Sequence, residues 1–254
     1  MPRNWTEHEL LIAMNVYCKL PFGKLNHMNP LIVQVAQNLD RTPSSVSMKL
    51  CNFASFDSAL QARGIRGLTG ASRADRQVWN AFAANWEEMS EKSEAAFDAL
   101  MKNEVVQPLP SDYIVPPLGP SEAEATVMAR RHQTFFRHAV LSSYEYRCAL
   151  SGLEIPCLLN ASHIIPWSEC EARRADPTNG ICLNALYDRA FDRMLITFDE
   201  EYRLVLSKKL EAKSRSEYVQ VHFAARAGQK LTLPHRFRPD PQALEIHRAQ
   251  TLAA

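Results

Sequence analysis

Apolar residues recur at helical spacing through the first third of the chain. The first such segment starts at Thr6, and Glu9 three residues later completes a capping-box pattern. A second segment covers residues 30–39, and a third follows Thr42, a favourable N-cap residue. The apolar positions of the first segment share one helical face: Leu10, Ala13, Met14 and Tyr17. This pattern predicts an all-α helical domain over residues 1–103.

Prolines separate this region from the rest of the chain. Five prolines lie between residues 106 and 120, and each fixes φ and removes a backbone donor, so we expect an extended linker over residues 104–121. A long amphipathic helix is predicted over residues 122–146, followed by short apolar runs typical of strands. These runs lie at residues 147–150, 157–165, 195–198, 202–206, 219–223 and 231–233. The chain is therefore predicted to be α+β, with a second domain at residues 122–254.

Composition excludes several classes of protein. Among 254 residues there are 29 Lys and Arg against 28 Asp and Glu, a net charge of +1, which does not indicate a protein that is basic throughout. No apolar run is long enough to cross a membrane, so no membrane partner is expected. The start of the chain lacks the pattern of a secretory signal. The six cysteines fall at irregular spacings without a CxxC, which does not fit a disulfide scaffold and favours reduced thiols in the cytoplasm.

Positive charge is nevertheless concentrated in the helical region. Residues 19–76 hold eight basic and three acidic residues, a net of +5. The third helix begins with small polar residues, an arrangement that resembles Myb/SANT-like helix-turn-helix domains and implies contact with DNA. The residues expected to face the DNA are Arg41, Ser44, Ser45, Lys49, Asn52, Arg63 and Arg66. The alternative is a helical module whose Ser and Lys side chains are merely solvated.

The second half of the chain contains the candidate catalytic and metal-binding residues. His163 lies at the end of a predicted strand, directly before Ile164-Ile165-Pro166. Asn179 and Gly180 form a predicted turn into a helix over residues 183–193, in which Asp188 and Asp192 share one face because they are four residues apart. Two neighbouring carboxylates repel each other unless a cation lies near them. A hairpin that ends in histidine, a loop and a helix with carboxylates together outline a site for one metal ion.

Three phrases in this half resemble the HNH endonucleases, or ββα-metal nucleases, and in particular their restriction-type branch. They are Tyr146–Gly152, Ala161–Trp167 and Asn179–Asp192, and the resemblance is strongest over residues 145–200. It implies that His163 is the general base that activates water and that Asn179 holds the loop against the hairpin. The family's third motif residue is a histidine that would fall here at position 187 or 188.

The sequence departs from the family pattern at two metal-ligand positions. Tyr187 and Asp188 replace the last histidine, and we expect Asp188 to take its role as a ligand of one Mg²⁺ or Mn²⁺ ion. Ser162 stands where many family members have an acidic ligand, so Asn160 and Asp192 are expected to assist. Each of these residues could instead be structural, Asp188 and Asp192 as partners of surface arginines and Asn160 as a polar side chain at a strand edge.

The resemblance implies a restriction-type endonuclease with a ββα-metal nuclease domain that cuts double-stranded DNA. Because cutting both strands needs two active sites, a homodimer is expected. Related two-part enzymes include some that act on modified cytosine, so dependence on a base modification is a further hypothesis. Two alternatives are a DNA-binding regulator with an inactive HNH domain, which Tyr187 and Ser162 would suit, and a nicking or homing nuclease that acts as a monomer. Structural zinc is not expected, since the cysteines lack the usual spacing.

Overall fold

A computed structural model of the chain describes residues 3–65, 70–101 and 123–253, with the side chains of residues 123–130 outside the description. The predicted linker at residues 104–121 and the candidate Arg66 lie outside the described residues. No described helix is long and apolar enough to cross a membrane. The described chain is an α+β structure, as predicted, with many helices and two small two-stranded sheets.

Six α-helices lie in the described residues of the N-terminal part. Thr6 caps the first helix in a capping box with Glu9, and the Thr42 side chain accepts a hydrogen bond from the Ser45 backbone, so both predicted helix starts are confirmed. The helices are α1 (Glu7–Lys19), α2 (Pro30–Asn38), α3 (Pro43–Ala54), α4 (Ser58–Ala62), α5 (Arg73–Ala84) and α6 (Trp86–Met101).

The C-terminal part begins with a long helix and continues through two antiparallel strand pairs. Its first half contains α7 (Ala123–Ser143), β1 (Leu159–His163), β2 (Gly180–Asn184) and α8 (Ala185–Asp192). The second half contains β3 (Ile196–Phe198), β4 (Leu204–Leu206), α9 (Lys208–Glu211), α10 (Glu217–His222) and α11 (Pro241–Ala253). The strand pairs are β1 with β2 and β3 with β4.

Helix α7 packs into two hydrophobic cores. Phe135 and Ala139 are buried in the core of helices α1–α6, whereas Phe136 and Val140 are buried in the core of the C-terminal strands and α8. Residues four apart lie on one face of a helix, and the second pair is shifted by one residue from the first, so the two pairs lie on different faces. One helix can therefore pack into both cores. The two halves of the chain are therefore in contact through this helix.

A buried arginine adds a second connection between the halves. Arg236 is completely buried, and its guanidinium donates to the carbonyl oxygens of Tyr17 (2.5 Å) and Leu20 (2.6 Å) and to the Ser142 hydroxyl (3.1 Å). Its charged group also lies over the Tyr17 ring, 4.5 Å from the centroid. These bonds join the end of α1, helix α7 and the segment before α11.

The strand predicted at residues 147–150 is wrong. Residues 147–150 form a turn rather than a strand, and β1 pairs with β2, so that His163 lies opposite Gly180. The turn is closed by Gly152 at φ +74°, a conformation that favours glycine. Gly180 is required for packing, because a Cβ placed there would lie 2.4 Å from a Val140 methyl group and 2.8 Å from the Phe136 ring.

Two other predicted strands are also wrong. Residues 217–222 form helix α10, since the apolar residues Val219 and Phe223 are four apart and fit a helix as well as a strand. Residues 231–233 do not form a strand, although Leu231 donates one backbone hydrogen bond to Tyr202. The strands predicted at residues 195–198 and 202–206 are confirmed as β3 and β4, which form an antiparallel pair.

Candidate active site

The site is built on β1, β2 and α8, which follow the order strand, strand, helix. Helix α8 starts directly after β2 because the Asn184 side chain caps it, accepting hydrogen bonds from the backbones of Leu186 and Tyr187. Tyr187 is buried and its hydroxyl donates to the His222 carbonyl oxygen at 2.9 Å. Tyr187 therefore holds α8 in place, and the next residue, Asp188, points toward β1.

His163 is held in one tautomer by the backbone. Its Nε2 lies 3.0 Å from the carbonyl oxygen of Arg174, and because a carbonyl can only accept, Nε2 carries the proton of the neutral ring. Nδ1 is then the basic nitrogen, and no other described residue bonds to it. Stacking fixes the ring plane, with Phe136 parallel at 3.7 Å between centroids and Trp167 edge-on at 5.7 Å.

The surroundings of His163 keep the imidazole neutral near pH 7. Burial lowers the pKa of His163 below its usual 6.5, although the hydrogen bond to the Arg174 carbonyl and the negative charge of Asp188 oppose this effect. A neutral histidine with a free basic nitrogen is the form that a general base needs.

The loop between the strands is tied to the end of β1 by Asn179. The Asn179 side chain is buried, accepts from the Ile165 backbone N–H at 2.8 Å and donates to the Ile165 carbonyl at 3.0 Å. It also donates to the Arg173 carbonyl at 3.2 Å. Arg174 contributes from the same loop, since its Nε donates to the Trp167 carbonyl at 2.9 Å. These bonds hold the carbonyl that orients His163.

Asp188 receives a hydrogen bond on each carboxylate oxygen. The Asn160 amide donates to Oδ2 and the Ser162 hydroxyl donates to Oδ1, both at 2.6 Å. Both donors lie on β1, two residues apart, so they project on the same side of the strand. The predicted neighbourhood of Asn160 and Asp188 is thus present, and Ser162 is a supporting contact in place of an acidic residue.

Asp192 lies one helical turn beyond Asp188 on the same cleft. Burial and the negative charge of Asp188 raise the pKa of Asp192 to about 6, while Arg189 and Arg193 partly counteract this. The cleft has a volume of about 380 Å³, and its walls include His163, both carboxylates and both arginines. The structure therefore brings His163, Asp188 and Asp192 to one open surface.

The donor set of this cleft fits a hard divalent cation. The described residues contain no group of three or more His, Cys, Asp and Glu that could hold a metal ion. Two carboxylates and the Asn160 side chain nevertheless provide oxygen ligands, and Mg²⁺ commonly binds through one or two carboxylates while it keeps several waters. Burial and then the negative charge of Asp188 raise the pKa of Asp192, and a cation bound between the two carboxylates would oppose this shift.

Two residues that were predicted to face DNA are buried in the structure. Lys49 and Asn52 were expected to face solvent, but both are buried against Asp75, a carboxylate that is itself fully buried. The Lys49 ammonium lies 2.8 and 3.0 Å from the two Asp75 oxygens, and the Asn52 amide donates to Asp75 at 3.2 Å. The two side chains serve to compensate a buried negative charge, which leaves neither free for a phosphate.

The other described residues predicted to bind DNA differ in exposure and in ion pairing. Ser44 and Arg63 are exposed, and Ser45 is half-buried. Arg41 is engaged with Glu9 at 2.9 Å and its guanidinium lies over the Trp5 ring at 4.1 Å. Burial alone would raise the pKa of Glu9, but hydrogen bonds from Arg41 and the Thr6 backbone lower it to about 2. Contact of DNA with Arg41, Ser44, Ser45 and Arg63 stays a prediction.

Sequence reasoning missed four residues that contact the site. The Arg174 contact uses a backbone carbonyl, which any residue type would offer, so no sequence signal could reveal it. Phe136 comes from α7 and was identified only as an apolar helix position. Arg189 and Arg193 are among the surface arginines expected to pair with Asp188 in the alternative interpretation, but neither forms an ion pair with another described residue. Their spacing of four residues, from α8 to its C-cap, could have predicted a basic wall.

A comparison with protein families locates this site within a known domain type. Residues 148–199 match the family model HNH_2, described as HNH endonuclease. The matched segment contains β1, β2 and α8, and so it contains His163, Asn179 and Asp188. It covers about a fifth of the chain. No curated protein matches the chain.

Proposed function

We propose that this protein is a metal-dependent DNA endonuclease that hydrolyses phosphodiester bonds with His163 as the general base. One observation carries the proposal. A histidine with its proton fixed on Nε2 shares a cleft with the paired carboxylates of Asp188 and Asp192, inside the segment that matches HNH endonucleases.

In this mechanism His163 moves one proton. Nδ1 accepts a proton from the water whose oxygen attacks phosphorus, while the bond between phosphorus and the 3′ oxygen breaks. The resulting imidazolium keeps its hydrogen bond from Nε2 to the Arg174 carbonyl, which strengthens as the ring becomes positive. The 3′ oxygen takes a proton from solvent, so the products are a 5′-phosphate and a 3′-hydroxyl.

The remaining residues position the metal ion and the phosphate. Asp188 would hold the cation, with Asp192 and Asn160 assisting, and a bound Mg²⁺ or Mn²⁺ ion neutralises charge on the phosphate and the leaving oxygen. Arg189 and Arg193 have exposed guanidinium groups beside the same cleft and would attract neighbouring phosphates. Asn179 keeps the loop that orients His163 in place.

The biological setting is also part of the proposal. We infer a restriction-type enzyme that acts on double-stranded DNA as a homodimer, in which the N-terminal helices select the DNA and the cytosine of the target carries a modification. Support comes from the basic balance of residues 19–76 and from the capped third helix. None of the six cysteines is in a disulfide, which supports a reducing compartment such as the cytoplasm.

Cleavage of defined DNAs tests the proposal. Plasmid and phage DNAs with unmodified, 5-methyl, 5-hydroxymethyl or glucosylated cytosine are incubated with the protein and Mg²⁺, Mn²⁺ or EDTA. We expect cutting that requires the metal and disappears in His163→Ala and Asp188→Ala. Cutting that survives in EDTA or in His163→Ala would overturn the mechanism. DNA binding without any cutting would instead favour a regulator with an inactive nuclease domain.

A further inference from the structure

A second and larger cavity lies between the N-terminal helices and the C-terminal part. Its volume is about 500 Å³, within the range of about 300–1,000 Å³ that is usual for ligand sites. Four aromatic side chains form much of its wall: Phe56, Trp79, Trp86 and Phe237. The Trp79 and Phe237 rings are within 18° of parallel, and the Trp86 ring stands nearly perpendicular to Phe237. Such walls suit a flat aromatic ligand.

The residues that line the cavity also carry polar groups. Within the described residues, neither the Trp79 nor the Trp86 indole N–H donates a hydrogen bond. Arg238, which also lines the cavity, is exposed and forms no ion pair with another described residue. The Asp57 carboxylate also lies in the wall, where one oxygen accepts from the Ala59 backbone at 2.8 Å and the other from the Tyr17 hydroxyl at 3.4 Å. Burial raises the pKa of this carboxyl. The cavity therefore combines flat apolar faces with unused donors and a carboxylate.

Ion pairs fix the rim of the cavity. Arg173 bonds to Asp240 at 2.8 Å and to Asp176 at 3.2 Å, and all three side chains line the cavity. Asp176 in turn accepts from the Thr178 backbone and hydroxyl. The cavity is thus lined both by aromatic side chains and by a preformed set of ion pairs and hydrogen bonds, most of it from the loop between β1 and β2.

We propose that this cavity binds a nucleobase. Stacking on Trp and Phe rings is how proteins hold unpaired bases, and carboxylates and N–H groups recognise their edges. The free guanidinium of Arg238 would take the attached phosphate. A base turned out of the DNA duplex is the favoured source, a choice that rests on the proposed nuclease function. A free nucleotide has the same chemistry and is separated from it by the experiment.

The position of the cavity supports this source. The loop that supplies Arg173, Asp176 and Thr178 to the cavity also supplies the Arg174 carbonyl and the Asn179 side chain that hold His163 and its strand. Arg173 lines the cavity and the next residue, Arg174, bonds to His163 through its carbonyl, so the two sites share this loop. A base held in the cavity would bring its strand close to the cleavage cleft and stiffen the loop that orients the general base.

The first test uses free nucleotides. Two of the four tryptophans line the cavity, so stacking of a base should quench the protein's fluorescence. The protein is titrated in EDTA with each deoxynucleoside monophosphate and, as controls, with deoxyribose 5-phosphate and inorganic phosphate. We expect saturable quenching by at least one nucleotide and none by the controls. Quenching by no nucleotide would overturn the proposal.

A pair of variants connects the signal to the cavity. Ala83 is exposed on α5 and lines the cavity, whereas Ala84 is exposed beside it and does not. Ala83→Phe should fill the cavity without removing any packing and weaken nucleotide affinity at least about tenfold, a loss of about 1.4 kcal/mol. Ala84→Phe should bind as the wild type does. Equal affinity in both variants would contradict the assignment.

The second test identifies the source of the base. Binding in EDTA is compared for two duplexes that differ in one mispaired base, because a mispaired base costs less to turn out. We expect the mispaired duplex to bind about tenfold more tightly, and Ala83→Phe to lose this preference. Nucleotide binding without the preference would overturn the extruded base in favour of a free nucleotide. Since neither test requires cutting, failure of the proposed nuclease activity would be seen separately.

Discussion

The Nε2 atom of His163 and the carbonyl oxygen of Arg174 lie 3.0 Å apart, and this contact decides which nitrogen of the ring can take a proton. Because burial lowers the pKa of His163, we expect the cleavage rate to stay level as the pH falls from 8 through 6.5 and to drop only below that value. The measurement is kcat/KM against pH with saturating metal. A half-maximal rate above pH 6.5 would contradict the prediction.

The carboxylate of Asp192 titrates in a neighbouring range, with a pKa of about 6. The pH profile is therefore repeated with Asp192→Asn. If His163 governs the acid limb, the limb should keep its position in this variant even where the rate is lower.

Replacement of the general base should remove most of the activity. Proton transfer by a positioned side chain contributes about 10²–10⁴-fold to a rate, so His163→Ala should lower kcat by that factor with DNA affinity unchanged. His222→Ala, which removes a histidine from α10, should cut at the wild-type rate. A His163→Ala protein that cuts within about tenfold of the wild type would require a different base.

The paired carboxylates should respond to a cation in a way that thermal unfolding can measure. A ligand that binds only the folded state raises Tm, so Mn²⁺ should stabilise the wild type. Asp188→Asn should lose this effect, and because it removes a neighbouring negative charge, it should also lower the pKa of Asp192. Glu154→Gln, which removes an exposed carboxylate paired with Arg147, is the control and should keep the Mn²⁺ effect. An unchanged Mn²⁺ effect in Asp188→Asn would place the ion elsewhere.

Variants of Lys49 and Arg63 should distinguish a positive charge that stabilises the fold from one that binds DNA. Lys49→Met leaves the buried Asp75 uncompensated and should lower the free energy of unfolding by about 3–5 kcal/mol. Arg63→Met, at an exposed position, should change it by less than about 0.5 kcal/mol. Arg63→Met should instead weaken DNA binding and reduce its dependence on salt. Urea unfolding and DNA titrations at two salt concentrations give both quantities, and a stable Lys49→Met would refute the structural role.

His247 should make the fold sensitive to acid. Burial lowers the pKa of His247 to about 4, although the hydrogen bond from its Nε2 to the Phe191 carbonyl partly opposes this shift. The Nδ1 atom is bonded to the Thr197 hydroxyl inside the core. The folded state then binds fewer protons than the unfolded state between pH 6.5 and 4, so stability is complete above 6.5 and falls as the pH drops through this window. The shift corresponds to about 3 kcal/mol.

Urea unfolding at pH 7.5 and 4.5 measures this loss. His132 and His138 also have lowered pKa values from burial, so the wild type loses more than His247 alone would explain. The informative quantity is the difference from His247→Gln, which should lose less stability between the two pH values. Equal losses would show that His247 does not titrate in this range.

Local signals allowed much of the fold to be predicted from the sequence. The caps at Thr6 and Thr42 act within three residues, and their helices start where the sequence indicates. The pairing of β1 with β2 was missed because it joins segments separated by a loop of sixteen residues and depends on the close approach of α7 to Gly180. Neither condition is visible in the alternation of residues within a strand.

The sequence was sufficient to predict which side chains form the site. It was not sufficient to predict burial and backbone contacts, which depend on residues distant in the chain. The order of hairpin, loop and helix, together with the resemblance to HNH endonucleases, predicts His163 and Asp188 in one cleft, and both line the same cleft in the structure. Lys49 was misplaced because its partner, Asp75, lies 26 residues away, and helix periodicity alone does not say which polar face is covered. The carbonyl of Arg174 belongs to the backbone and leaves no trace in residue type.

The sharing of helix α7 between two cores limits how this protein could acquire new specificity. Phe135 and Ala139 pack against helices α1–α6, Phe136 and Val140 pack into the core of the C-terminal strands and α8, and Arg236 bonds to carbonyl groups at the end of α1. An N-terminal helical part taken from another protein would have to offer complementary packing and hydrogen-bond acceptors for all of these side chains. Recombination that exchanges whole modules would therefore expose aromatic surface, and new DNA targets would arise more readily through single substitutions on the exposed faces of the existing helices.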